Sequence, residues 1–269
     1  MKLGIAQFTP EAGDPETNRE TAIEAVTQAA DRGADLVVLP EMFTVGYFAF
    51  EAYEAAAEPI DGPTVEALGS VAEARDVAIL TGSFVEDLTA SGTFDPPAEA
   101  GLANTSVLID EAGAIRTWYR KVHLFGYDSE EATRLVPGAR LGVADLGDWR
   151  VGLATCYDLR FPELFRRYVD EGVTLMLVPS AWPDARPEHW AVLSRARAIE
   201  NQWYLAAVNG VGAVSGTELL GRSVVYDPWG EAVTELGREP ASAVVELDAD
   251  RVEAVREEFP ALADRRNDW

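Results

Sequence analysis

The chain has one cysteine (Cys156), two lysines (Lys2 and Lys121) and two histidines (His123 and His189) among 269 residues. Each scarcity removes a class of protein. One thiol cannot close an internal disulfide, so a small secreted disulfide scaffold is excluded. No His/Cys/Asp/Glu cluster has metal-ligand spacing, and neither a metal nor another cofactor is expected. No apolar run reaches the roughly 18 residues of a membrane span. The start Met1-Lys2-Leu-Gly-Ile-Ala-Gln-Phe8 reads as a strand rather than as an export signal. A cytoplasmic location without a membrane partner is therefore expected, which makes the Asn104-Thr-Ser sequon a chance match. Linkers rich in Pro, Gly and Ser are missing too, as are internal repeats, and one domain spanning 1–269 is expected.

Positive charge is also scarce. Lys and Arg together number 22 against 46 Asp and Glu, a formal net charge of −24. A surface of that sign repels phosphate backbones, so nucleic acid is not expected as a partner. An acidic excess combined with arginine in place of nearly every lysine fits a salt-rich cytoplasm, where screening relieves self-repulsion. Arginine-favouring codon usage is the plainer account, and the sequence leaves both open.

What is present is enough apolar material, 48% of residues, to bury a full core. Strand-like runs fall at Leu3 to Phe8, Asp35 to Leu39, Val77 to Phe84, Thr105 to Ile109, Arg150 to Cys156, Thr174 to Pro179, Tyr204 to Val208, Ser223 to Tyr226 and Ala243 to Leu247. The clearest helix starts at Asp14 as N-cap with Pro15 in its first position, turns Ile23, Val26 and Ala30 to one face, and stops at Gly33. Further helices are predicted at about 63–75, 162–171, 187–201 and 249–257. The mixture of alternating and hairpin-like order predicts mixed sheets with helices on both outer faces.

Cys156 closes the run Val151-Gly-Leu-Ala-Thr-Cys156 at a strand end, where α/β folds expose reactive groups; a lone cysteine is otherwise a small buried hydrophobe. Glu41 follows the apolar run ending in Pro40, and Lys121 lies in Trp118-Tyr-Arg-Lys121-Val-His-Leu-Phe. Solvated surface charges are the commoner fate of both residue types. For Lys121 that reading is weakened, because a chain that otherwise uses arginine has placed a compact ammonium here.

The segments Leu39-Pro-Glu41-Met-Phe, Tyr119-Arg-Lys121-Val-His-Leu-Phe and Cys156-Tyr-Asp-Leu-Arg-Phe-Pro-Glu-Leu resemble the three signature motifs of the carbon-nitrogen hydrolase (nitrilase) superfamily. Gly4-Ile-Ala-Gln-Phe, Thr81-Gly-Ser, Asn104-Thr-Ser, Pro179-Ser-Ala-Trp, His189-Trp, Arg195 to Gln202 and Ser223 to Gly230 are similar to that family as well, in order, so the resemblance covers essentially the whole chain. It implies an α/β fold, the four-layer αββα sandwich, with a Glu41-Lys121-Cys156 triad. In that reading Glu41 is the general base that generates the thiolate. Lys121 and the Tyr157 backbone N–H form the oxyanion hole.

The resemblance also implies a second glutamate beside the lysine. In Ser129-Glu130-Glu131-Ala-Thr-Arg-Leu-Val-Pro137-Gly138 the spacing favours Glu131, with Glu130 as runner-up. Tyr47 and Trp182 fall where family members line the pocket. Arg160 is a candidate for a substrate carboxylate, although a structural ion pair with Asp158 or Glu163 is the favoured reading of an arginine at that place. His123 and His189 are expected to position loops. The glycines at 210, 212 and 216 are one residue off the dinucleotide-binding pattern and precede no helix, so that reading is rejected.

The implied function is a hydrolase that cleaves a small amide through a cysteine thioester and releases ammonia. The cysteine motif resembles the ω-amidase and deaminated-glutathione amidase branch, whose substrates carry a carboxylate. A nitrilase or N-carbamoyl amide hydrolase with the same triad is the enzymatic alternative, and a non-catalytic binding scaffold the alternative from another class. The expected partner is a small-molecule amide. The resemblance further implies a homodimer or higher homo-oligomer, with the tail Asp250 to Trp269 at a subunit interface or docked on its own domain.

Overall fold

Side-chain alternation along the first strand, β1 (Lys2–Gln7), organises the layers. Leu3 and Ile5 point into one buried cluster, while Ala6 joins a second on the opposite face. Each fully buried side chain of this size stabilises the fold by about 1.5–3 kcal/mol. Gly4, between them, lets the first helix approach, because a Cβ there would lie 3.1 Å from Val37 and 3.2 Å from Ala29.

The computed structural model describes residues 1–127 and 129–266. The remaining strands are β2 (Leu36–Val38), β3 (Ala78–Leu80), β4 (Phe84–Asp87), β5 (Leu102–Ile109), β6 (Ile115–Arg120), β7 (Gly142–Leu146), β8 (Trp149–Leu153), β9 (Leu175–Ser180), β10 (Tyr204–Asn209), β11 (Val211–Val214), β12 (Thr217–Leu220), β13 (Val224–Tyr226), β14 (Ala232–Glu235) and β15 (Ala241–Glu246). The helices are α1 (Pro15–Asp31), α2 (Tyr53–Ala56), α3 (Pro63–Arg75), α4 (Glu131–Arg134), α5 (Pro162–Asp170), α6 (Pro187–Asn201) and α7 (Asp250–Glu258).

One sheet has the order β15-β1-β2-β3-β5-β4, with β6 also paired to β5; the other runs β14-β13-β10-β9-β8-β7, and β11 and β12 form a separate hairpin. Both sheets are mixed, as predicted: β1, β2 and β3 are parallel, as are β8, β9 and β10, and the edges are antiparallel. Leu3, Ile5, Leu36 and Val38 join the buried residues of the second sheet, whereas Val37 and Leu39 pack with Val26 of α1 and Leu68 of α3. Phe165 of α5, with Trp190 and Ala198 of α6, covers the second sheet's outer side. The architecture is the four-layer αββα sandwich.

Asp14 caps α1, accepting the Thr17 N–H at 3.1 Å. Two predicted strands are corrected. The run Val77 to Phe84 is split into β3 and β4 by Thr81-Gly82-Ser83, and the run ending at Cys156 leaves its sheet after Leu153. β6, β7, β11, β12 and β14 were not predicted. In the tail, α7 buries Val252 and Val255 against its own chain, and Gln202 Nε2 donates to the Phe259 carbonyl at 2.7 Å; residues 267–269 of that segment lie outside the described residues. No helix among the described residues is long and apolar enough to cross a membrane.

Candidate active site

The break in the predicted strand creates the first wall of the site. Gly82 takes φ +67°, and a Cβ there would sit 2.0 Å from the Pro40 carbonyl oxygen, so only glycine allows this close approach. Ser83 then binds both sides of Glu41: its N–H donates to the Pro40 carbonyl at 3.2 Å, and its hydroxyl accepts the Met42 N–H at 2.8 Å. Glu41 is held at a fixed depth between the sheets. Its Oε2 accepts the Ala181 N–H at 2.8 Å from the end of β9.

Lys121 follows β6, where its backbone N–H donates to the Asn104 carbonyl and its own carbonyl accepts from Gly138, both at 2.9 Å. Its ammonium lies 2.8 Å from Glu41 Oε1 and 2.9 Å from each oxygen of Glu131. Glu131 also accepts the Tyr47 hydroxyl at 3.0 Å and the Phe125 N–H at 2.7 Å. Asn104 ties the carboxylates together, donating to Glu41 at 2.9 Å and to Glu131 at 3.0 Å. Glu130, by contrast, is exposed and pairs with Arg134.

Cys156 has φ +44°, a left-handed conformation rare for a side chain with a Cβ. The turn after it is over-determined, which is how such strain persists. Asp158, fully buried, accepts from the Thr155 N–H at 2.9 Å, the Tyr119 hydroxyl at 2.7 Å, and the His123 N–H at 3.1 Å. The His123 Nδ1 lies 2.7 Å from the same carboxylate, and its ring stacks on Phe161 at 3.8 Å. The lysine loop and the cysteine turn are thereby fastened to one another.

One ammonium, two carboxylates and a thiol thus share a water-poor volume. Burial, followed by the Glu41 charge, pushes the Cys156 thiol well above its ordinary range despite the opposing pull of Lys121. Burial also raises Glu41, against the pull of Lys121 and with the push of Glu131. For Lys121 burial acts downward, but the charges of Glu131 and Glu41 override it and hold the ammonium protonated well above the usual lysine range. A thiol beside a carboxylate and an ammonium that its acidic neighbours keep charged is an arrangement for proton transfer followed by nucleophilic attack.

A pocket of about 380 Å³, open mouth included, leads from solvent to Cys156 and Lys121 between Tyr47, Phe48, Phe125, Tyr157, Trp182 and the two arginines Arg160 and Arg186. The structure therefore brings together all the site residues read from the sequence. It corrects one alternative: Arg160 pairs with neither Asp158 nor Glu163, because Asp158 is saturated by Tyr119, His123 and Thr155. Its guanidinium instead lies over the Trp182 ring at 4.8 Å. Sequence reasoning missed the bridging role of Asn104. An asparagine inside an apolar strand, where that residue type is depleted, was the available signal. It also missed Phe48, Phe125, Arg186 and the Ala181 N–H. Among the described residues no group of three or more His, Cys, Asp or Glu could hold a metal ion.

The carbon-nitrogen hydrolase family matches residues 2–257. The chain is 36% identical to a 2-oxoglutaramate amidase of Paenarthrobacter nicotinovorans over 239 residues, 87% of this chain and 79% of that protein. It is 34% identical to the 2-oxoglutaramate amidase of Bacillus subtilis (strain 168) over 267 residues, 99% of this chain and 98% of that protein. Among solved structures it is similar to a glutamate-to-glutamine variant of the amidase from Nesterenkonia sp. AN1, which carries the acetamide moiety of fluoroacetamide on its active-site cysteine. The TM-score is 0.84 at 31% identity, over 99% of this chain and 94% of that one.

Proposed function

The chain belongs to the carbon-nitrogen hydrolase family and is an amidase-type hydrolase that works through a cysteine intermediate; from that premise we propose that it hydrolyses the terminal amide of a small 2-oxo acid such as 2-oxoglutaramate. The observation that carries this reading is the pairing of two features in one pocket: Lys121 bridged to Glu41 and Glu131 beside Cys156 at its floor, and Arg160 on its wall. Among the described residues no carboxylate lies within ion-pair distance of Arg160. A substrate carboxylate meets that charge while its amide reaches the thiol. Two relatives act, by name, on 2-oxoglutaramate. Nitrile, carbamoyl and non-catalytic readings have no such support.

In the proposed mechanism Glu41 accepts the Cys156 proton as sulfur attacks the amide carbon. The carbonyl electrons move to oxygen, where Lys121 and the Tyr157 N–H stabilise them; one donor of this kind contributes about 2.7–4 kcal/mol. Glu41 returns the proton to nitrogen, the C–N bond breaks and ammonia leaves a thioester. Water, deprotonated by Glu41, attacks that thioester through the same oxyanion site, and the regenerated thiol takes the proton back. Glu131 keeps Lys121 aimed throughout, and Tyr47 and Trp182 pack against the substrate chain.

Ammonia release from 2-oxoglutaramate, with intact-mass detection of the acyl adduct, tests the reading. Loss of both in Cys156→Ala is expected, and turnover surviving that substitution overturns it.

The same reading takes the chain as one cytoplasmic domain that assembles as a homo-oligomer. Val192 and Ile199, seven residues apart on α6, are 61% and 46% exposed; a repeat of this kind on one helix face supports burial by a second copy. Light scattering distinguishes monomer from dimer, and a monomer at all concentrations sinks this part.

A further inference from the structure

Arg160 donates through both Nη1 and Nη2 to a single atom, His189 Nδ1, at 3.3 Å each. A guanidinium has no acceptor, so Nδ1 must accept, and the ring proton sits on Nε2. The partner is therefore neutral in this arrangement. It orients the arginine without cancelling its charge, whereas a carboxylate in the same place would compete with an anionic substrate.

The first turn of α6 supplies the rest of the mount. The Arg186 carbonyl accepts the Trp182 indole N–H at 3.0 Å and the Trp190 backbone N–H at 3.3 Å. The aromatic face under Arg160 and the imidazole that receives its hydrogen bonds are thus fixed by one short segment. Trp182 also packs on Trp190 at 5.7 Å, and the Tyr157 ring centre lies 5.7 Å from the Arg160 guanidinium.

We propose that His189 is a positioning residue that sets the enzyme's preference for carboxylate-bearing over neutral amides by fixing the orientation of Arg160. The proposal rests on Arg160 being the carboxylate site, and the experiment separates the two. Glutaramate and pentanamide differ by a carboxylate in place of a methyl group at the end remote from the amide. Steady-state kinetics with both are measured for the natural enzyme and for His189→Ala, His189→Gln and Arg160→Met, with circular dichroism to confirm folding. His189 is exposed, so its replacement leaves the core intact.

Loss of one net hydrogen bond predicts that His189→Ala raises KM for glutaramate roughly 3- to 10-fold. Its kcat stays within about twofold, as do both constants for pentanamide. His189→Gln, whose amide oxygen can accept from Arg160, recovers most of the loss. Arg160→Met removes the preference for glutaramate. If Arg160→Met leaves that preference intact, the carboxylate site itself is wrong. If Arg160→Met removes it and His189→Ala does not, the proposal for His189 is overturned; equal losses on both amides, or no rescue by glutamine, overturn it as well.

Discussion

Glu131 grips the Lys121 ammonium with both carboxylate oxygens at 2.9 Å, while Glu41 offers the same ammonium only one, at 2.8 Å. The asymmetry separates two roles that composition alone cannot: the bidentate carboxylate is occupied as a holder, and the monodentate one leaves Oε2 to the Ala181 N–H and its charge to act on the thiol.

Glu131→Gln keeps the shape but halves the acceptor capacity facing Lys121. A displaced oxyanion donor should lower kcat about 10²- to 10³-fold, with a smaller change in KM. Glu130→Gln, at an exposed surface pair with Arg134, should shift stability by no more than about 0.5 kcal/mol and leave kcat alone. Kinetics of the two variants side by side check the assignment, and equal effects would contradict it.

The pH profile follows from Glu41. To accept the thiol proton it must be ionised, and burial raises its pKa above the ordinary 4.5. Activity is therefore lost on acidification at a higher pH than for an exposed glutamate. No alkaline loss from Lys121 is expected below 10.5, because its carboxylate neighbours push it upward. The measurement is kcat/KM for pentanamide, which does not titrate, from about pH 3.5 to 10. An acid midpoint at or below 4.5 would be the wrong result.

Local signals were legible wherever one residue type settled the geometry. Asp14 and Pro15 announced α1, and the helix predicted at about 187–201 forms at Pro187–Asn201. The turns that carry Glu41 and Cys156, just beyond β2 and β8, were legible because each apolar run stops at a polar residue. Pairing in space was not. Asn104 looks like any strand polar residue until Glu41 and Glu131 arrive on either side, 63 and 27 positions away. The break at Thr81-Gly82-Ser83 was hidden because the apolar run flanks it on both sides, and its cause is the approach of Pro40 from the loop after β2. β6 escaped notice because Arg116 and Arg120 interrupt its apolar character; Arg120 is buried because Glu86 meets it at 2.7 Å and the Phe94 and Asp95 carbonyls accept from it.

Gly82 gives a test of that hidden break. In Gly82→Ala the new methyl would overlap the Pro40 carbonyl at φ +67°, so the chain must move at the residue preceding Glu41. The cost should exceed about 1 kcal/mol, a fall of about 2–4 °C or more in Tm for a chain of this size. Because the displaced segment carries the general base, kcat should fall by more than tenfold in protein that still folds. Thermal melts and kinetics together check this, and a variant with normal Tm and kcat would show that the approach is not required.

The net charge of −24 predicts the response to salt. Much of it is uncompensated: the described ion pairs include the exposed pairs Arg75–Asp31 and Arg150–Asp145, which contribute little each, while acidic residues outnumber basic ones about two to one. Self-repulsion among those carboxylates acts over the Debye length, about 8 Å at physiological ionic strength and about 3 Å near 1 M. Adding KCl shortens that range faster than it weakens the buried contacts of Lys121 and Arg120. Tm should therefore rise steadily between about 0.05 and 1 M KCl, because screened long-range repulsion outweighs the loss of weak surface pairs. Potassium sulfate at matched ionic strength should raise Tm further, since excluded sulfate also strengthens apolar burial. A flat Tm in KCl with a rise only in sulfate would mean that the acidic surface is tolerated without screening, and that salt acts here through the core rather than through charge.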